Sequence, residues 1–135
     1  MVPELIFDTG IGELFVIRVA GNVANTSSIA SIEYAVAHLG VNLIVVLGHQ
    51  SCGAVTAAIA GGDNGHNLNH LLAHLQPAVS ASGAEGVDAT VRENARKTCQ
   101  DLIARSSIIA NAASENLRVV PAWYLLDGGH VAFLD

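Results

Sequence analysis

The chain has 135 residues, which suits a single domain covering residues 1–135 with a buried core. Of these residues 51% are hydrophobic and 13% are charged, and the net charge is −6 with only six Lys and Arg. So few basic residues exclude nucleic acid as an expected partner, and no apolar run is long enough to span a membrane. The excess of apolar residues instead predicts a homodimer or a higher homo-oligomer, whose interface covers apolar surface.

The number of cysteines and the first residues of the chain bear on its cellular location. Cys52 and Cys99 are the only two cysteines, too few for a disulfide framework. The chain begins Met1-Val2-Pro3-Glu4, without the basic region and apolar run of a secretory signal. Together these features predict a reducing, cytoplasmic location.

The first third of the chain predicts a strand, a helix and a second strand. Residues 14–19 are β-branched or apolar apart from one arginine, as in a strand. The next helix can be capped by Ser27 or Ser28, and Gly40 ends it. Its apolar face consists of Ile29, Ile32, Val36 and Leu39. Residues 43–47 are apolar on both faces, which is typical of a buried parallel strand, so the three elements fit one right-handed βαβ crossover.

The middle of the chain predicts helices separated by loops. A short helix is expected to begin near Cys52 or Gly53, and a glycine-rich loop follows it. An amphipathic helix then ends near Pro77, and residues 80–86 read as a flexible connector. Asp88 can cap a long helix that continues in broken form through Ile109. The leucines of the amphipathic helix are Leu68, Leu71, Leu72 and Leu75.

The end of the chain predicts a hairpin. Residues 117–126 read as a strand, in which Pro121 favours an edge position. Residues 127–129 form a tight Asp-Gly-Gly turn, and residues 130–134 return as the second arm. The whole pattern predicts an α/β fold, with a mainly parallel sheet flanked by helices and a C-terminal antiparallel edge hairpin.

His49 and Cys52 are the strongest candidates for chemistry. They follow the buried strand on one loop, at the carboxyl edge where open α/β sheets bind ligands. An imidazole and a thiolate three positions apart can bind the same Zn²⁺, and a helix N-terminus suits a thiolate. From spacing alone two other interpretations stay open: Cys52 as a small buried residue, or a Cys–His nucleophile pair.

Residues 45–55, Val-Val-Leu-Gly-His-Gln-Ser-Cys-Gly-Ala-Val, resemble the second zinc-ligand motif of the β-class carbonic anhydrases, Gly-His-x-x-Cys-Gly after a buried strand. The resemblance implies a zinc lyase that hydrates carbon dioxide to bicarbonate. By position it implies His49 and Cys52 as two of three protein ligands, with the backbone N–H of Gly53 beside the substrate. The likeness covers essentially the whole chain and extends to residues 3–8, 12–22, 31–36, 93–94, 107–109 and 124–131.

The family's first motif, Cys-x-Asp-x-Arg, would lie immediately before Met1, so the first cysteine ligand, its Asp–Arg pair and the family's first strand are not expected within these 135 residues. Three interpretations stay open: a normal enzyme whose start is missing, a natural short member with a rebuilt metal site, and a non-catalytic scaffold or binding subunit. A further alternative keeps the fold but hydrolyses carbon disulfide or carbonyl sulfide.

No residue stands out as the third ligand. Cys99 lies in the middle of a predicted helix and reads as a buried or solvent-facing thiol. His66, His70 and His74 are spaced four apart on one helix face, a spacing that can bind metal but is commoner on an ordinary polar face. A water molecule or a residue of a neighbouring subunit can also complete the coordination.

Overall fold

A three-stranded sheet in the order β1-β2-β3 organises the chain, and seven α-helices accompany it. The structure is a computed structural model that describes residues 1–135. No helix in it is both long enough and apolar enough to cross a membrane. The strands are β1 (Leu43–His49), β2 (Arg118–Leu125) and β3 (His130–Phe133). The helices are α1 (Pro3–Ile6), α2 (Thr26–His38), α3 (Gly53–Ala60), α4 (His66–Ala73), α5 (Gln76–Ser82), α6 (Val87–Arg105) and α7 (Ser107–Ala113).

The sheet joins distant parts of the chain. β1 and β2 are parallel, with Leu43 opposite Arg118 and His49 opposite Tyr124. β2 and β3 form an antiparallel hairpin. The predicted α/β class with a C-terminal antiparallel edge strand is therefore confirmed. Helices α3 to α7 form the long crossover between β1 and β2. Because the two strands are parallel, the carboxyl end of β1 lies next to the carboxyl end of β2.

The edge position predicted for Pro121 is wrong, because β2 is the central strand of the sheet. Strand residues alternate in the neighbour that their backbone groups face. The carbonyl of Pro121 accepts a hydrogen bond from the N–H of Leu134, at 2.9 Å, so Pro121 faces the β3 side. It lies just past the last β3 pair, Ala122 with Phe133, so the missing N–H removes only one bond at the very end of the ladder.

The strand predicted over residues 14–19 does not form. These residues make a run without regular structure, and residues 14–18 take part in no backbone–backbone hydrogen bond. A strand needs a neighbour to satisfy its backbone groups, and nothing pairs with this segment. The predicted βαβ crossover through α2 is consequently absent.

The outer edge of β1 is also unpaired. The N–H of Gln50 bonds to the Tyr124 carbonyl, and the Asn42 carbonyl accepts from the N–H of Arg118. By alternation, the even-numbered residues of β1 face β2, and the backbone groups of Leu43, Val45 and Leu47 face away from it. This free edge and residues 14–19 line one cleft of about 910 Å³.

Two helix boundaries differ from the prediction, because other residues than the expected ones cap or begin the helices. Asn25, not Ser27 or Ser28, caps α2, since its side chain accepts a 2.9 Å hydrogen bond from the N–H of Ser28. Pro77 lies in the first turn of α5, and this helix with a 3₁₀ turn over Gly83–Glu85 replaces the predicted connector. Proline suits a first helical turn because its missing N–H has no partner there.

Helix α6 packs on both halves of the core. Its residues Ala95 and Leu102 belong to one apolar cluster, together with Val46 of β1. Its Val91 belongs to a second cluster, together with Cys52 and the fully buried Leu75. The same helix thus supports the strand that ends at His49 and the helix that follows Cys52.

Candidate active site

The candidate site is the loop between β1 and α3. His49 is the last residue of β1, Cys52 is the N-cap of α3, and Gly53 is its first helical residue. Between them Ser51 has a left-handed backbone, with φ of 57°, which is uncommon for a residue with a side chain. The resulting sharp turn lets His49 and Cys52 line the same cleft.

A carboxylate on α6 supports this turn. The backbone N–H of Ser51 donates a 2.9 Å hydrogen bond to Oδ1 of Asp88, in the first turn of α6. The sequence suggested Asp88 as the cap of α6, but Gly86 occupies that position. A hydrogen bond to a charged acceptor contributes about 1.5–3 kcal/mol, comparable to the cost of the left-handed residue. Asp88 therefore acts as a clamp on the loop.

Gln50 ties the loop to the hairpin. Its side-chain Nε2 donates to Asp127 Oδ2 at 3.1 Å. Its Oε1 accepts from the backbone N–H of Leu126 at 2.9 Å and of Asp127 at 3.2 Å. Sequence reasoning missed Gln50 and the role of Asp88, and no local pattern could reveal partners 77 and 37 residues away.

One ring nitrogen of His49 is free for a ligand. Its Nδ1 lies 2.9 Å from the carbonyl oxygen of Gln50. Because a carbonyl can only accept, Nδ1 carries the proton and Nε2 keeps its lone pair. A backbone carbonyl commonly orients a metal-binding imidazole in this way.

Gly48 and Gly53 frame the two candidate ligands with opposite steric demands. A Cβ on Gly48 would lie 2.6 Å from Cγ1 of the buried Val91, so β1 and α6 can approach only because this residue is glycine. A Cβ on Gly53 would meet nothing within 4 Å. The N–H of Gly53 makes no hydrogen bond within the chain, as expected at the first turn of a helix.

The comparisons with known proteins agree with this geometry. A family model described as carbonic anhydrase matches residues 1–131. Carbonic anhydrase 2 of Mycobacterium tuberculosis (strain CDC 1551 / Oshkosh) is 40% identical over 143 residues, which cover 100% of this chain and 69% of that protein. The chain belongs to the β-class carbonic anhydrase family.

Solved structures of the family superpose on most of the chain. The β-carbonic anhydrase CafA of Aspergillus fumigatus gives a TM-score of 0.85 at 31% identity, over 98% of this chain and 68% of that one. One of two tetrameric β-carbonic anhydrases of Sordaria macrospora gives 0.87 at 26% identity, over 97% of this chain and 73% of that one. The relatives therefore contain further residues that this chain does not match.

The donors present in this β-carbonic anhydrase chain fit part of a zinc site. Thiolate sulfur and imidazole nitrogen are the donors that Zn²⁺ prefers, but a tetrahedral ion needs four ligands. No group of three or more His, Cys, Asp and Glu in the chain is arranged to hold a metal ion. A zinc ion at His49 and Cys52 would therefore need further ligands from solvent or from another segment.

Cys99 does not supply a further ligand for a zinc ion at this loop. It is buried in the other core cluster, with Ile29 and Leu102, whereas Cys52 packs with Val55 and Leu75. Burial among these apolar neighbours raises the pKa of the Cys99 thiol from 9.0 to about 11. Cys99 is therefore a core thiol of this carbonic anhydrase fold, and it remains protonated at neutral pH.

The buried Cys99 predicts a loss of stability in alkali. The folded state holds the thiol proton up to about pH 11, whereas the unfolded state releases it above pH 9.0. The free energy of unfolding should therefore fall as pH rises across this window. Urea unfolding of the parent and of Cys99→Ala at both ends of the window measures the contribution. An equal loss of stability in the two proteins would contradict it.

Proposed function

We propose that the chain forms the zinc-binding and substrate-binding part of a carbonate dehydratase, which converts carbon dioxide and water to bicarbonate and a proton. The observation that carries the proposal is the placement of His49 and Cys52 on one clamped loop, both lining the same cleft of a β-carbonic anhydrase fold. In open α/β sheets, ligands usually bind in a crevice at the carboxyl ends of the parallel strands.

Each residue of the loop has a distinct role in this proposal. Nε2 of His49 and the sulfur of Cys52 hold Zn²⁺, and the Gln50 carbonyl keeps the imidazole in the required tautomer. When bound, zinc would supply a Lewis acid that lets water lose a proton at neutral pH, and this makes the water a nucleophile toward carbon dioxide. The free N–H of Gly53 is available to donate to a substrate oxygen.

The cleft indicates where a third ligand enters. Its walls are the free edge of β1 and the unpaired residues 14–19, and it reaches His49 and Cys52. An extended segment carrying the family's Cys-x-Asp-x-Arg motif would satisfy both sets of backbone groups and would bring a thiolate beside the loop. We propose that the complete metal site forms when such a segment occupies the cleft.

Stopped-flow hydration assays test this function. The 135-residue chain with zinc is compared with a chain extended at its N-terminus by a strand that carries Cys-x-Asp-x-Arg. We expect the extended chain to hydrate carbon dioxide, and a matched extension with serine in place of the cysteine to lose the activity. An extended chain that is folded, contains zinc and shows no hydration would overturn the proposal.

A non-catalytic role is the second candidate, because the chain by itself offers only two protein donors. In that case the 135-residue protein serves as a binding subunit for a longer β-carbonic anhydrase. It predicts no hydration by the extended chain, together with a stable complex with a full-length relative in size-exclusion chromatography.

The exposed apolar residues support a homo-oligomer. Ile11 is fully exposed and Leu5 is 80% exposed, and neither lines the cleft proposed for the extended segment. Such a concentration near the N-terminal half is typical of a surface that another subunit covers. The tetrameric proteins of Sordaria macrospora are a precedent. A cytoplasmic location is proposed on separate grounds, since both cysteines are free thiols.

Sedimentation velocity tests the assembly. We expect a dimer or larger species at micromolar concentration, and we expect Leu5→Asp with Ile11→Asp to shift it toward the monomer. A matched Leu126→Asp change, which alters an exposed apolar residue at the hairpin, should leave the assembly intact. A parent protein that sediments as a monomer would contradict the prediction.

A further inference from the structure

Helix α4 and its C-cap residue, His74, carry a histidine row that the carbonic anhydrase site does not use. His66, His70 and His74 follow one another at intervals of four residues, and all three are exposed. None of them lines the cleft that contains His49 and Cys52. We propose that His70 and His74 form a second, surface metal site, a two-histidine chelate for a divalent late first-row ion such as Ni²⁺ or Cu²⁺.

The geometry selects one pair from the row. The rings of His70 and His74 already lie edge to face, with centroids 5.5 Å apart and planes at 82°. Residues four apart lie on the same helix face, one turn above the other, so modest ring rotations let both imidazoles reach one ion. His66 makes no ring contact of this kind, and it lies about 12 Å from His74 along the helix axis. One ion therefore binds the His70–His74 pair without His66.

The packing of α4 keeps this pair in solvent. Leu72 is buried, and Leu75, just beyond the helix, is completely buried in the second core cluster. These leucines fix the helix orientation, so His70 and His74 lie on the outer face. Neither imidazole makes a hydrogen bond within the chain, so metal binding would disturb only their edge-to-face ring contact.

The surrounding charge favours a cation. No Lys or Arg occurs between Arg18 and Arg92, and the whole chain has a net charge of −6. The region around α4 thus contributes no competing positive side chain from its own sequence. Neutral imidazole prefers Cu²⁺, Ni²⁺ and Zn²⁺ over Mg²⁺ and Ca²⁺, and affinity within a nitrogen site rises toward Cu²⁺. Water completes the coordination of an ion with two protein ligands.

The site is tested with Ni²⁺ in the full chain carrying His49→Ala, which weakens the proposed zinc site at a residue outside the core cluster that packs against α4. Isothermal titration should show one bound ion per chain. We expect His70→Ala and His74→Ala each to weaken binding by about tenfold or more, since either change removes the chelate. His66→Ala is the matched control on the same exposed face and should bind as the parent does.

Thermal unfolding provides a second readout that does not depend on enzyme activity. Because an ion bound only to the folded state raises its stability, Ni²⁺ should raise the Tm of the His49→Ala protein and of its His66→Ala variant. It should leave the Tm of the His70→Ala variant nearly unchanged. Equal affinity for Ni²⁺ in the parent and in His70→Ala, or an equal loss in His66→Ala, would overturn the assignment of this pair.

Discussion

Replacement of Cys52 by serine is expected to weaken zinc binding by about 100-fold or more. In the proposed site Cys52 is one of only two protein donors, and the removal of even an outer partner of a metal ligand weakens binding by about 10–100-fold. A serine hydroxyl is a poor zinc ligand at neutral pH, because it keeps its proton. Competition with a chromophoric chelator measures the affinity, and the catalytic counterpart is the hydration rate of the N-terminally extended chain.

Two matched variants make this result specific. His49→Ala removes the other proposed donor and should weaken zinc binding to a similar extent. Cys99→Ala removes the other thiol, which lies in a different core cluster, and should leave the affinity for zinc unchanged. Zinc affinity that falls in Cys99→Ala but not in Cys52→Ser would show that the loop does not hold the metal.

Replacement of Gly48 by alanine is expected to destabilise the fold by about 1–3 kcal/mol, the usual cost of overpacking a core. The added methyl group would lie 2.6 Å from Cγ1 of Val91 and 3.5 Å from the Val91 carbonyl oxygen. Val91 is 2% exposed and has a stiff β-branched side chain, so it cannot move away without shifting α6. Urea unfolding, followed by circular dichroism, measures the loss.

Gly53→Ala is the control that separates packing from chemistry. A Cβ at Gly53 meets nothing within 4 Å, so the free energy of unfolding should stay within about 0.5 kcal/mol of the parent. If the N–H of Gly53 lies beside the substrate, the same methyl group should lower the hydration rate of the extended chain. A Gly48→Ala protein as stable as Gly53→Ala would contradict the close approach of β1 and α6.

The sequence was sufficient for the features that depend on local pattern. The apolar run of residues 43–47 predicted a buried parallel strand, and β1 does pair in parallel with β2, but only Val46 of that run is buried. The Asp-Gly-Gly turn at residues 127–129 predicted the hairpin that closes the sheet. The break between α6 and α7 also followed from the pattern, and Ser106 caps the second helix. In each case nearby residues determine the conformation.

Other features depend on partners far away in the chain. Residues 14–19 have the composition of a strand but stay unpaired, because strand formation requires a neighbour as well as a propensity. Asp88 looked like a helix cap, yet its carboxylate accepts a hydrogen bond from the N–H of Ser51, in the loop between β1 and α3. Pro121 looked like an edge residue, and only the length of β3 shows why a central strand tolerates it. Such roles cannot be read from local sequence.

The most direct test of the account is X-ray absorption spectroscopy on the zinc-loaded chain carrying His70→Ala, which removes the proposed histidine chelate. Binding by Cys52 and His49 predicts a sulfur shell at about 2.3 Å and a nitrogen or oxygen shell at about 2.0–2.1 Å. The sulfur shell should disappear in Cys52→Ser and persist in Cys99→Ala. A spectrum with only nitrogen and oxygen neighbours in the parent, or a sulfur shell that survives Cys52→Ser, would contradict the assignment of the zinc site to this loop.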